Sequence, residues 1–182
     1  MSGIFISYRR EDSIAYASWL FDLLADRFGE KQIFMDIDTM KVGLDFMEQI
    51  EKAVQSCDVL IAVIGKTWVK IQDEEGLRRL DNPEDFVRVE IQAALERNIP
   101  VIPLLVGGAG MPKATDLPDP IAKLARRHAM NMSDERFRAD ATRLIEQISE
   151  YVTGAESEPP PEPESKVPEG MVLIPKGPFL YG

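Results

Sequence analysis

The sequence predicts an α/β fold, a parallel sheet covered by helices on both faces, and three observations carry that expectation. Apolar runs of strand type alternate strictly with segments of helical periodicity. The strands are nearly continuous in apolar residues, as they must be when both faces of a sheet are buried. The periodic part spans about 150 of 182 residues, enough to close one real core.

Each element follows in order. Ile4-Phe-Ile-Ser-Tyr8 is the first strand. Ala17, Leu20, Leu24 and Phe28 mark the buried side of a helix over residues 13–28, with Glu11 and Asp12 at its favourable N-terminal end. Ile33-Phe-Met-Asp36 is the second strand, and residues 37–44 form a polar loop containing Gly43. Phe46, Ile50 and Val54 share one face of a second helix, and residues 59–64 make a fully apolar third strand. A long connection, residues 65–84, leads to a helix over residues 85–97. Residues 99–106 read as a strand interrupted by Pro100 and Pro103, followed by a Gly/Pro-rich loop over 107–120. A short helix over 121–126, a weak strand over 128–132 and a last helix on Phe137, Ala141, Leu144, Ile148 and Val152 complete the unit. Five strands and five helices fit the flavodoxin-like strand order 2-1-3-4-5. Its switch point lies between strands one and three at their carboxyl ends. A ligand crevice is therefore expected among residues 7–12 and 65–68.

Composition narrows the function. The formal net charge is −10, of which −7 falls on residues 1–155, where 19 Lys and Arg face 26 Asp and Glu. That balance opposes nucleic-acid binding and attachment to an anionic membrane surface. One cysteine, Cys57, excludes an intramolecular disulfide and is read as inert packing. One histidine, His128, leaves too few ligands for a structural zinc site. No signal peptide and no run of membrane-spanning length is present, so a cytoplasmic location is expected.

Glu90 is the residue that asks for an explanation. Phe86, Val87, Val89, Ala93 and Ala94 form one apolar arc of the helix over 85–97, with Arg88, Gln92 and Glu96 opposite. Glu90 sits in the middle of that arc, where an unpaired carboxylate costs several kcal/mol or is neutralised. It needs a partner, such as Arg9 or Arg10, or a task in the crevice.

Three segments together resemble the Toll/interleukin-1 receptor (TIR) domain in its bacterial form: residues 3–12, residues 34–46 and residues 85–91. The resemblance covers about residues 1–152. It implies an enzyme that cleaves NAD+ between nicotinamide and ribose, with Glu90 as the catalytic carboxylate and NAD+ as substrate rather than cofactor. Ser7, Tyr8, Arg9 and Arg10 would line the nucleotide pocket. For the two arginines, pairing with pyrophosphate and neutralising Glu90 or Asp36 are both open. Asp36 is either a loop cap or a ligand, and Trp68 either stacks on nicotinamide or adenine or packs under the long connection. Lys41 and Gly43 belong to the BB loop, residues 37–46, which in this family serves self-association and gates the pocket. Gly43 is also explained by a turn needing positive φ. The connection between Trp68 and Asp85 is longer than the simplest family pattern, and its polar stretch 76–83 can fold over the crevice.

Two other classes compete. A non-enzymatic TIR scaffold would work by TIR–TIR contacts alone. A phosphoacceptor receiver domain shares the topology but fits poorly, because the first strand runs into Tyr8-Arg9-Arg10 and the third into Gly65-Lys66. Residues 156–167 are Pro- and Glu-rich, and read as an extended linker. Residues 168–182 resemble the opening of a formylglycine-generating-enzyme or sulfatase-modifying domain. A TIR effector joined to a separate domain implies a regulated NAD+-depleting switch, as in anti-phage defence.

Overall fold

The computed structural model describes residues 3–35 and 41–152. Five parallel strands form one sheet: β1 (Ile4–Ser7), β2 (Ile33–Met35), β3 (Val59–Ile64), β4 (Val101–Val106) and β5 (Met130–Met132). Their order is β2-β1-β3-β4-β5, as the alternation of elements predicts. The α-helices are α1 (Arg10–Phe28), α2 (Phe46–Gln55), α3 (Phe86–Glu96) and α4 (Phe137–Val152).

The period-two alternation of strand side chains separates two cores. Ile4, Ile6, Val59, Ile61 and Val63 pack with α1 and α4 residues such as Leu20, Leu24, Leu144 and Ile148. Phe5, Leu60, Ala62 and Ile64 pack on the other face with Ile50 and Val54 of α2 and Ile91 and Ala94 of α3. Pro103 stays inside β4, in register with Ala62, and does not interrupt it.

Several expectations are corrected. The fourth helix is a 3-10 segment, Asp119–Arg126, because Pro118 and Pro120 restrict its entry and remove backbone donors. Strands one, four and five are shorter than read: Tyr8, Ile99, Pro100, His128 and Ala129 lie outside them. Asp36, read as the end of the second strand, lies outside the described residues. The first helix starts at Arg10, not Ser13. Ser13 is instead a kink within it, at φ −148° and ψ 26°. The carbonyl of Arg9 accepts both the Asp12 and Ser13 N–H groups, at 3.0 and 2.9 Å, which closes a tight turn before the helix proper.

Arg88 lies opposite the apolar arc, yet it is buried. The 65–84 connection covers that side of α3: Leu80, on its 3-10 turn Arg79–Asp81, is wholly buried, and Arg88 Nη1 donates to the Leu80 carbonyl at 3.0 Å.

Candidate functional site

A cavity of about 340 Å³ opens at the carboxyl end of β1, bordered by Ile6, Tyr8, Arg9, Arg10, Glu11, Arg79, Asp85, Phe86, Val87 and Glu90. Its volume is at the small end of the range for small-molecule sites. It takes in residues 8–11 of the expected crevice at the β1 side of the switch point, but none of residues 65–68 borders it.

Alternation along the chain aims the key side chains. Phe5 faces the α2/α3 layer, so Ser7, two residues on, faces it as well. Ser7 Oγ donates to Glu90 Oε2 at 2.5 Å. Both residues are buried, Glu90 at 6% exposure, yet Glu90 borders the cavity. The acid that breaks the apolar arc of α3 is thus held by a strand-end hydroxyl with its carboxylate at a cavity wall.

Arg9 makes the second tie between β1 and α3. Its Nη1 and Nη2 donate to Asp85 Oδ1 and Oδ2 at 3.0 and 2.7 Å, a bidentate pair whose side chains are 2% and 8% exposed. Asp85 is also the N-cap of α3, accepting the Arg88 N–H at 3.0 Å. The carboxylate that Arg9 neutralises is Asp85, which is neither Glu90 nor Asp36, the two partners considered for it. Its guanidinium lies over the Trp68 ring, 5.9 Å from the centroid. Trp68 is 1% exposed and packs beneath the connection, outside the cavity wall. Stacking of a ligand on this ring is not available, because core residues and Arg9 cover it.

Tyr8 and Arg10 border the cavity as expected. Gly43 does not: it occupies an exposed turn at φ 90°, between Val42 and Leu44, which are also exposed. Asp36 and residues 37–40 of the BB loop lie outside the described residues.

Glu11 falls within the crevice expected over residues 7–12, but sequence reading did not single out Ile6, Arg79, Asp85, Phe86 or Val87 for the wall. Asp85 carried a signal, since an acid just before an apolar helix is an N-cap pattern. Phe86 was assigned to the buried arc but is 36% exposed, its ring packed edge-on against Phe46 at 4.8 Å. Arg79 arrives from the connection, where nothing periodic announces a contact. Asp12 supports the site from behind: its carboxylate accepts the N–H groups of Gly65 and Thr67 at 2.8 and 2.9 Å and the Thr67 hydroxyl at 2.7 Å.

Among solved structures the fold is shared with TIR domains. The TIR domains of the activated Roq1 resistosome, which directly recognises the pathogen effector XopQ, align at a TM-score of 0.56 and 15% identity, covering 80% of this chain and 96% of that one. A TIR-STING receptor from C. gigas, in complex with 2',3'-cGAMP, aligns at 0.53 and 20% identity, covering 80% of this chain and 39% of that one. The TIR domain of the Toll-related receptor TRR-2 from Hydra magnipapillata aligns at 0.50 and 16% identity, covering 80% and 95%. No curated protein is significantly similar in sequence. Residues 4–147 match the TIR domain family, which takes in the whole sheet and the cavity at its switch point, and the chain belongs to that family.

Proposed function

We propose that this TIR domain is an NAD+ nucleosidase, with Glu90 as the carboxylate that stabilises the transition state. The observation behind it is a buried acid, fixed by Ser7 at 2.5 Å, that borders a cavity at the switch point of the sheet.

The chemistry suits so spare a site. The bond between ribose C1′ and the nicotinamide nitrogen breaks, and its electron pair leaves with nicotinamide, cancelling the charge on that ring. No general acid is required. Positive charge moves to the ribose, and a carboxylate held close to it stabilises that charge more in the transition state than in the ground state. An oxygen nucleophile then adds at C1′ and releases its proton. Ser7 restricts the carboxylate to one orientation, so little reorganisation is needed as the charge develops. Phe86 and Tyr8 offer aromatic rings in the wall for the nicotinamide or adenine face, the role first considered for Trp68.

Self-association belongs to the proposal. The Roq1 domains come from a resistosome, and the apolar residues Val42 and Leu44, just before α2, are fully exposed and 60% exposed. The same observation supports a second reading, a scaffold that docks through this loop without chemistry. Free nicotinamide decides between them. Concentrated or crowded protein is incubated with NAD+, and Glu90→Ala is expected to lower the rate by about 10²-fold or more. Equal rates for wild type and Glu90→Ala overturn the enzymatic assignment. Assembly without any nicotinamide release leaves the scaffold.

A further inference from the structure

The 65–84 connection is built with more care than a loop needs, and what it presents to the cavity is Arg79. Four anchors hold it. Leu80 is wholly buried in the α2/α3 core. Arg88, itself buried, donates to the Leu80 carbonyl at 3.0 Å. Arg78 pairs with Asp81 at 2.6 Å, and the Arg79 N–H donates to the Ile71 carbonyl at 2.9 Å. The backbone on both sides of Arg79 is therefore fixed.

The Arg79 side chain borders the same cavity as Glu90 and is 38% exposed. Its Nη1 donates to Glu11 Oε1 at 2.9 Å, while Nε and Nη2 donate to no protein group among the described residues. Of the two arginines first considered for an anion, Arg10 also borders the cavity, whereas Arg9 has both Nη atoms engaged by Asp85. A planar guanidinium with one edge unused, on a rigid turn, suits bidentate recognition of a phosphate.

We propose that Arg79 is the anion-recognising residue of this cavity, held there by the 65–84 connection to bind the pyrophosphate of a dinucleotide. That the ligand is a dinucleotide rests on the function proposed above; that the site takes a phosphate ester rests on Arg79 alone. Glu11 orients Arg79 and competes with the anion for it, so it also sets how strongly the site prefers charged ligands.

The test is equilibrium binding of ADP-ribose, which carries the pyrophosphate, and of nicotinamide riboside, which carries the reacting bond without phosphate. Full-length wild type, Arg79→Gln, Arg79→Lys and Glu11→Gln are compared, with thermal unfolding confirming that each is folded. Arg79→Gln is expected to weaken ADP-ribose roughly tenfold and to leave nicotinamide riboside unchanged, with Arg79→Lys in between. Glu11→Gln is expected to tighten ADP-ribose about threefold, because it removes a like charge from beside the phosphates. A purely structural ion pair moves both variants in the same direction, and that outcome overturns the proposal. So does an unchanged ADP-ribose affinity in Arg79→Gln, or an equal loss for both ligands. Binding of ADP-ribose needs no bond cleavage. If Glu90→Ala retains full nicotinamide release while Arg79→Gln loses ADP-ribose, the nucleosidase assignment falls and the phosphate site stands.

Discussion

Ser7 and Glu90 meet over 83 residues of sequence through one hydrogen bond of 2.5 Å. A hydrogen bond to a charged group contributes about 1.5–3 kcal/mol. Ser7→Ala is therefore expected to lower kcat for NAD+ cleavage by about tenfold with little change in KM, since the carboxylate loses orientation while the cavity keeps its shape. Steady-state rates at assembled concentrations check this. Cys57 gives a second prediction. Burial, first of all, pushes its thiol from 9.0 up to about 12. Folded protein at pH 8 should resist alkylation, and denatured protein should react fully. The sign of the linkage follows: with the folded value raised, the contribution to stability is complete below about 9 and is lost as pH rises toward about 12. At this scale the sequence was informative only where a residue broke a pattern. Glu90 violates an apolar arc and was visible. Arg79 and Glu11 violate nothing, and the pairing of Arg9 with Asp85 could not be told from a pairing with Glu90.

At the scale of elements, the site is a seam between β1 and α3, closed by Ser7–Glu90 and by Arg9–Asp85. Asp85→Ala removes the N-cap of α3 and leaves a buried guanidinium without its carboxylate. Breaking a buried pair from one side costs about 3–5 kcal/mol, whatever the pair contributes when intact. Urea unfolding should register a loss of that size, and Asp85→Asn, which keeps the capping oxygen, a smaller one. The sheet order, the third strand and the last helix were legible in the sequence, because uninterrupted apolar runs and the 3–4 spacing are strong signals. The fourth helix was misread because local apolar content favoured a helix where two prolines dictate 3-10 turns. The burial of Arg88 was not legible, because periodicity assigns faces without knowing what covers them, and here a distant connection does.

For the whole molecule, the balance is between a net charge of −10 and the exposed apolar side chains of Val42 and Leu44. Like-charged copies repel over a Debye length of about 10 Å at 0.1 M salt. Raising the ionic strength should therefore promote association, and Val42→Asp should suppress it along with nicotinamide release while leaving the monomer folded. Sedimentation velocity at two salt concentrations checks the first, and the concentration dependence of rate checks the second. No helix among the described residues is long and apolar enough to cross a membrane. One small feature governs how freely such a molecule can change over generations. A methyl group on Gly65 would stand 2.5–2.7 Å from the Asp12 carboxylate, whose bonds to Gly65 and Thr67 hold the first turn of α1 in place. A side chain at this position would push the Asp12 carboxylate aside and weaken its bonds to Gly65 and Thr67. New substrate preferences are thus free to arise along the mouth, at Arg79 or Glu11, while a change at the join behind it disturbs the bonds that hold α1 to the end of β3.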